Sequence, residues 1–198
     1  MGESLYLLGK YLFKIYYFIR HRRIIEGREN IPDSGPLIVM ANHQSYCDPP
    51  LLGTILNRRI YFLAKKELFD TPVFGWVLNK IGVIPIKRGK PDLKALRRSF
   101  AVLKENKVLG VFPEGTRNKP GSNRKAQPGA VLIALKSKAP ILPVGIKNIT
   151  KNKRTRVSIG QPFTLDDFYD RKLDSEEKKR AGKVIMDKIE TEINKIAD

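Results

Sequence analysis

Short apolar runs alternate with amphipathic helical segments along most of this chain, and this alternation limits the fold more than any other feature. Predicted strands cover residues 37–41, 59–64, 83–86, 108–112, 141–146 and 156–159, and predicted helices cover 50–56, a short stretch after Pro72, 91–105, 129–137 and a C-terminal helix that begins near Ser175. Strands that alternate with helices predict an α/β fold with a mixed, largely parallel sheet flanked by helices. At 198 residues the chain has room for one such domain, which we expect over 26–198.

Residues 1–25 predict an amphipathic N-terminal helix that binds a membrane. Its apolar stripe consists of Leu5, Leu8, Leu12, Ile15 and Ile19, with Tyr6, Tyr11, Tyr16 and Tyr17 around it. The stretch 5–19 is shorter than the roughly 20 apolar residues that span a bilayer, and Lys10 and Lys14 interrupt it. We therefore expect it to lie in the headgroup region, the alternative being an ordinary helix that covers the core. The aromatic stretch 71–78 is a second candidate for membrane contact.

The charge balance is strongly basic, with 38 Lys and Arg against 20 Asp and Glu and a net charge of +18. Such a field attracts nucleic acid, an anionic membrane surface or phosphorylated small molecules, and net charge alone does not rank these partners. The single cysteine, Cys47, excludes an internal disulfide, and no Cys/His spacing indicates zinc. A reducing, intracellular setting is the simplest interpretation.

His43 and Asp48 form a candidate catalytic pair. On a continuous helix, five residues would turn the two side chains about 140° apart, so a direct contact needs a bend between them. Pro49 and Pro50 favour a helix that begins at Asp48, which leaves His43 on the preceding turn. There Asp48 would orient a neutral imidazole that accepts a proton as a general base. Cys47 is an alternative nucleophile, although a cysteine on an apolar turn is usually a small core residue.

A candidate anion site follows the predicted strand 108–112. The guanidinium fork of Arg117 matches phosphate oxygens in charge and geometry. Gly115 allows close approach of the backbone, and Thr116 offers a hydroxyl. Glu114 could hydrogen-bond a hydroxyl of the ligand or hold the arginines in place, and the alternative is a purely structural role.

Two more cations follow other predicted strands. Arg88 is a second candidate phosphate ligand, or else part of a solvated basic turn with Lys87. Lys65 is a candidate donor to an oxyanion or a second anion contact, a role that Lys66 fits equally, and a surface lysine is the alternative. In a parallel sheet these turns and the His43 turn would converge on one rim.

Four sequence blocks in this order carry a resemblance to a known family. They are Asn42-His43-Gln44-Ser45-Tyr46-Cys47-Asp48, residues 82–88 (GVIPIKR), residues 111–117 (VFPEGTR) and residues 141–146 (ILPVGI). On these blocks the chain is identified as a member of the glycerolipid acyltransferases, and it resembles the lysophosphatidic acid acyltransferases. It departs from their pattern at Asn118, where a serine is common, and in its brief N-terminal region.

The resemblance implies a reaction, substrates and a location. The reaction is transfer of a fatty acyl group from acyl-CoA or acyl carrier protein to the sn-2 hydroxyl of lysophosphatidic acid, which gives phosphatidic acid for phospholipid biosynthesis. His43 would act as general base without a covalent intermediate, and no cofactor or metal is implied. The enzyme would bind the anionic cytoplasmic face of the cell membrane as a peripheral or monotopic protein. Glycerol 3-phosphate or another lysophospholipid is the alternative acceptor.

A nucleic-acid-binding protein is the competing hypothesis from another class. The net charge and the basic runs 117–125 and 147–156 motivate it. A base, an orienting carboxylate and the turn 114–117 are superfluous for binding a phosphodiester backbone, and basic clusters at a membrane surface explain the same charge. We therefore expect no nucleic-acid partner.

Overall fold

The chain folds into a seven-stranded sheet covered by helices on both faces, as seen in a computed structural model that describes residues 2–20, 22–89, 91–117, 125–149 and 154–196. The strands are β1 (Arg22–Glu26), β2 (Leu37–Ala41), β3 (Ile60–Lys65), β4 (Ile84–Ile86), β5 (Val108–Val111), β6 (Ile141–Ile149) and β7 (Arg154–Ile159). The helices are α1 (Gly2–Arg20), α2 (Asp48–Ile55), α3 (Pro72–Lys80), α4 (Leu93–Lys104), α5 (Pro128–Ser137) and α6 (Ser175–Lys195). Short 3-10 helices cover Arg28–Asn30, Lys66–Asp70 and Asp166–Phe168.

The strand order across the sheet is β1-β7-β6-β2-β5-β3-β4. The five strands β6, β2, β5, β3 and β4 run parallel to one another. Strand β7 runs antiparallel to β6, and β1 is parallel to β7. The predicted mixed, largely parallel sheet is therefore confirmed. Because β2, β5, β3 and β4 share one direction, the turns that follow them all leave the same edge of the sheet.

The central strand β2 is apolar along its whole length because both of its faces are buried. Ile38 and Met40 face the layer that contains α4, α5 and α6, whereas Leu37, Val39 and Ala41 face the layer that contains α2. Strand side chains alternate between faces, so a run without polar residues is what a doubly covered strand requires.

Helix α6 docks as its isoleucine pattern predicts. Asp174 and Glu177 form a capping box at its start, and Ile185, Ile189 and Ile196 are buried. The helix packs against β6 so closely that Gly145 has no room for a side chain.

The predicted elements are present with bounds shifted by only a few residues, but one strand was not predicted. Residues Arg22–Glu26 form β1, which pairs with β7 at the edge of the sheet. The expected division between residues 25 and 26 therefore falls inside a strand. Charged residues in a five-residue segment concealed this strand, since an edge strand tolerates them where a central strand would not.

Helix α1 has a protein-facing side and an exposed side. Tyr6, Lys10 and Tyr17 share one helical face, where Lys10 Nζ donates to the Leu56 carbonyl at 2.6 Å and the Tyr6 hydroxyl accepts from the Ile60 N–H at 3.2 Å. Many large apolar side chains of the helix are nevertheless exposed, most of them away from this face, namely Leu7, Leu8, Tyr11, Leu12, Phe13, Ile15, Tyr16, Phe18 and Ile19. In the described part of the chain, no helix combines the length and apolar character that crossing a membrane requires.

Replacing Gly145 by Ala should destabilise the fold. A Cβ atom there would lie 2.5 Å from the backbone of Glu192 and Ile193, so α6 would have to move away from β6. We expect a loss of about 1–3 kcal/mol in the free energy of unfolding, measured by urea denaturation. Gly129→Ala in α5 is the matched control, because a Cβ atom at that glycine meets no neighbouring atom within 4 Å. Equal stability of the two variants would contradict the close helix-to-strand packing.

Candidate active site

His43 and Asp48 are in direct contact at the carboxyl end of the central strand. His43 Nδ1 lies 2.9 Å from Asp48 Oδ2, and α2 begins at Asp48, as Pro49 and Pro50 predicted. The chain bends between the two residues, which is what brings side chains five positions apart together. Since a carboxylate only accepts hydrogen bonds, Nδ1 carries the proton in the neutral imidazole and Nε2 has a free lone pair.

The Asp48 carboxylate is fully buried, and the turn compensates its charge. The backbone N–H groups of Gln44 and Ser45 each donate to Oδ2 at 2.7 Å, in addition to the contact with His43. Asp48 is also the first residue of α2, where the helix dipole favours a negative charge. One carboxylate thus holds the whole turn and orients the imidazole.

The face of the imidazole rests on Phe112, which follows β5. The two ring centroids are 4.1 Å apart with planes inclined by 22°, and Phe62 stacks on the far side of Phe112 at 6.0 Å. Gly110 makes room for this arrangement, because a Cβ atom there would lie 2.3 Å from the Phe62 ring. Asp48 at the ring edge and Phe112 at the ring face therefore fix His43, whose side chain is 14% exposed.

Tyr17 supports the same turn from α1. Its hydroxyl donates to the Cys47 carbonyl at 2.6 Å, and burial, followed by the nearby Cys47 and Asp48, raises the pKa of the Tyr17 phenol. The phenol therefore stays a neutral hydrogen-bond donor. The helical pattern predicts Tyr17 among the aromatic side chains that face the headgroup region, but this residue is buried in the protein.

Asn42 joins the base of the turn to the neighbouring strand β6. Its Nδ2 donates to the Ile146 carbonyl at 2.8 Å, and its Oδ1 accepts from the Ile146 N–H at 2.7 Å. The side-chain amide thus continues the β2–β6 ladder, which pairs Ala41 with Val144, after the backbone of β2 has left the sheet. This leaves the backbone of His43 free to turn toward the site.

The predicted anion loop is a tight turn tied to α5. Gly115 has a φ of 71° and its N–H donates to the Phe112 carbonyl at 3.0 Å, so a left-handed turn explains the glycine. Gln127 donates from its backbone N–H to the Pro113 carbonyl at 2.8 Å and from Nε2 to the Glu114 carbonyl at 3.4 Å. Glu114 is buried.

The two remaining loop residues, Thr116 and Arg117, are exposed at the end of this turn. The Arg117 guanidinium carbon lies 3.6 Å from the ring centroid of Tyr46, which belongs to the His43–Asp48 turn. Two ring contacts, His43 with Phe112 and Arg117 with Tyr46, therefore join the candidate base to the candidate anion site. The following residues 118–124, including Asn118, lie outside the described residues.

Lys65 and Arg88 lie farther along the same edge. Lys65 Nζ is 3.3 Å from Glu67 Oε1, and both side chains are exposed. The pKa of the Glu67 carboxyl is lowered by a hydrogen bond from its own backbone N–H, then by Lys65, and also by Arg88. With β5 between β2 and β3, the ends of β3 and β4 lie roughly 10–15 Å from the His43 turn by strand spacing.

Sequence reasoning missed several residues that shape this site. Phe112, Tyr46 and Gln127 make contacts between segments that are distant in sequence. Phe112 and Tyr46 lay inside the quoted blocks, so their aromatic character was the available signal. Among the described residues, no group of three or more His, Cys, Asp or Glu side chains could hold a metal ion.

The sequence and the fold match known acyltransferases. A family model described as Acyltransferase matches residues 22–147, more than half of the chain. The 1-acyl-sn-glycerol-3-phosphate acyltransferase of Bacillus subtilis is 32% identical over 162 residues, which is 78% of this chain and 80% of that protein. The enzyme of the same name from Borreliella burgdorferi is 34% identical over 176 residues, 84% of this chain and 69% of that protein.

The crystal structure of the 1-acyl-sn-glycerophosphate (LPA) acyltransferase PlsC from Thermotoga maritima shares the fold. It superimposes with a TM-score of 0.70 at 28% sequence identity, covering 96% of this chain and 78% of that one. The chain therefore belongs to the acyltransferase family, and these bacterial relatives are 1-acyl-sn-glycerol-3-phosphate acyltransferases. The family resemblance stated from the four sequence blocks is confirmed.

Replacing Asn42 by Ala should lower stability and loosen the His43 turn. The change removes the hydrogen bonds that the Asn42 side chain makes with the buried N–H and carbonyl of Ile146. We therefore expect a loss of roughly 2 kcal/mol or more in the free energy of unfolding, measured by urea denaturation. Asn79→Ala is the control, because Asn79 Nδ2 makes one hydrogen bond, to the Gly75 carbonyl within α3. A loss for Asn42→Ala no larger than for this control would contradict the bridging role.

Proposed function

We propose that this protein transfers a fatty acyl group from an acyl thioester to the sn-2 hydroxyl of lysophosphatidic acid, giving phosphatidic acid. The observation that carries the proposal is that His43, oriented by Asp48, lies in contact with Phe112 of the loop that carries Arg117. A base for an alcohol and a guanidinium for a phosphate thus lie on two turns in contact with each other, which suits acylation of a phosphorylated alcohol. The names of the relatives support this acceptor.

In this mechanism His43 moves the proton. Nε2 accepts the hydroxyl proton as the alcohol oxygen attacks the thioester carbonyl carbon, and Asp48 stabilises the imidazolium that forms. Collapse of the tetrahedral intermediate breaks the carbon–sulfur bond, and the imidazolium returns the proton to the thiolate. The thioester is already activated, so no covalent enzyme intermediate is required.

Binding of the acceptor is assigned to the loop after β5. Arg117 would bind the phosphate, and the Thr116 hydroxyl would offer a second hydrogen bond. The tight turn at Gly115 sets the positions of both residues. The buried position of Glu114 favours a structural role in holding this loop. Lys65 and Arg88 would serve as further anion contacts, because their distance along the edge suits a charged group of the substrates better than the oxyanion.

Replacing His43 by Ala should abolish transfer. Loss of a general base typically lowers kcat by 100-fold or more, so we expect at least a ~100-fold decrease in turnover of lysophosphatidic acid. Circular dichroism and lipid binding should be unchanged, which separates chemistry from folding. Cys47→Ala is the matched control from the same turn and should keep turnover within a few-fold. Near-normal turnover by His43→Ala, or an inactive Cys47→Ala variant, would contradict the assigned mechanism.

The substrates are identified by offering a panel of acceptors and donors. Lysophosphatidic acid, glycerol 3-phosphate and other lysophospholipids are each supplied with acyl-CoA or acyl carrier protein, and products are read by lipid mass spectrometry. We expect phosphatidic acid as the main product. Preferential acylation of glycerol 3-phosphate or of a lysolipid without a terminal phosphate would overturn the proposed acceptor.

We further propose that the protein binds the anionic cytoplasmic surface of the cell membrane as a peripheral or monotopic protein. Helix α1, with its exposed apolar side chains, lies next to α3, where Val73, Phe74 and Trp76 are also exposed. Gly2 at the start of α1 abuts the Lys80 carbonyl at the end of α3, so the two helices are neighbours. Apolar and aromatic side chains in a strongly basic protein suit the headgroup region of an anionic bilayer.

Replacing Leu12 by Glu should weaken membrane binding. A charge on the exposed side of α1 opposes insertion among acyl chains, and we expect a several-fold smaller fraction bound in flotation with phosphatidylglycerol-containing vesicles. The control is Leu93→Glu, since Leu93 is similarly exposed but lies on α4, across the sheet from α2. Equal flotation of the two variants would contradict a role for α1.

Gel shifts with duplex DNA at the same salt test the nucleic-acid alternative, which strong DNA binding without flotation would favour.

A further inference from the structure

Tyr46 lies between His43 and Asp48 in sequence and is not a core residue. Its side chain is 68% exposed, yet the Arg117 guanidinium carbon sits 3.6 Å from its ring centroid. The Tyr46 ring, which lies mostly outside the core, thus contacts Arg117, the candidate phosphate ligand. Core packing therefore does not account for a ring at this position.

The geometry of the contact leaves the guanidinium able to bind phosphate. A separation of 3.6 Å from the ring centroid is a stacking distance, so the ring covers one face of the planar Arg117 group. The N–H donors of a guanidinium lie in its plane and point outward from its edges. Stacking and bidentate binding of a phosphate thus use different parts of the same group.

The backbone on either side of Tyr46 is held firmly. The Ser45 N–H donates to Asp48 Oδ2 at 2.7 Å, and the Cys47 N–H donates to Ser45 Oγ at 3.2 Å. The Cys47 carbonyl accepts the Tyr17 hydroxyl at 2.6 Å. The ring is thus part of the turn that orients His43, whereas Arg117 is an exposed, long side chain on the connection between β5 and α5. A long side chain of this kind loses rotamer freedom when it binds a ligand, and a stacking surface reduces that loss.

We propose that Tyr46 is a positioning residue that stacks on Arg117. It fixes the position of the guanidinium N–H groups relative to His43, so that they can bind the phosphate of the acceptor. The inference rests on the proposed function. Through Tyr46, the turn that carries the base would also set where the headgroup binds, so that the hydroxyl to be acylated arrives at Nε2. In this proposal, binding of the acyl donor does not depend on the contact between Tyr46 and Arg117.

The test compares Tyr46→Ala and Tyr46→Phe with the wild-type enzyme, in wild-type and Arg117→Ala backgrounds. Loss of a cation–π contact at an exposed site corresponds to about a two- to five-fold change, so Tyr46→Ala should raise the KM for lysophosphatidic acid by that factor. The KM for the acyl donor should stay the same. Tyr46→Phe keeps the ring and should retain the wild-type KM. In the Arg117→Ala background, Tyr46→Ala should have no further effect, because the partner is already absent.

Binding is measured separately by calorimetry with a short-chain lysophosphatidic acid that dissolves as a monomer, so that membrane contact does not enter. We expect the same two- to five-fold loss of affinity for Tyr46→Ala. An unchanged KM and affinity, a Tyr46→Phe variant as impaired as Tyr46→Ala, or an effect that persists without Arg117 would each overturn the inference. A change confined to vesicle flotation would also overturn it, since Tyr46 would then be a lipid contact.

Failure of the proposed function gives a different result. A wild-type protein that neither acylates nor binds lysophosphatidic acid would overturn the proposed function and, with it, the role of Tyr46. An active wild-type enzyme with an unaltered Tyr46→Ala variant would overturn the role of Tyr46 alone.

Discussion

The buried carboxylate of Asp48 is the constraint on which the rest of the site depends. A charge without solvent must be met by hydrogen bonds, and here the backbone of Gln44 and Ser45 and the imidazole of His43 supply them. Meeting that demand forces the chain to turn sharply between β2 and α2. The same turn therefore orients the His43 imidazole and creates the sites where Tyr46 and the Cys47 carbonyl make their contacts. One arrangement thus meets the structural need to bury a carboxylate and would also orient the base of the proposed mechanism.

The site is assembled from two turns because β5 lies next to β2 in the sheet. These strands are distant in sequence, and parallel pairing brings their carboxyl ends to a common edge. Phe112 stacks on His43 and Tyr46 stacks on Arg117, so each turn supplies an aromatic ring to the functional side chain of the other. This reciprocity makes the position of the base and the position of the guanidinium mutually dependent.

Local patterns predicted most of the elements and indicated the candidate site residues. The apolar run of β2, the proline-led start of α2 and the isoleucine stripe of α6 depend on neighbouring residues, which is why the sequence reveals them. No local pattern predicts β1, because its charged composition is unlike that of a buried strand and only pairing with β7 at the edge of the sheet makes it a strand. Tyr17 was placed with the exposed aromatics because the period of a helix shows which residues share a face but not which face the protein covers.

The sequence by itself determined the α/β class, the His43–Asp48 pair and the arginine that follows β5, since each follows from residue type and short-range spacing. Only the tertiary structure decided that Phe112 lies on the imidazole, that Tyr46 contacts Arg117 and that Lys65 and Arg88 belong to strands beyond β5 in the sheet order. The physical reason is that strand order is set by burial of the whole sheet. Distances between turns on its edge follow from that order and not from any local pattern.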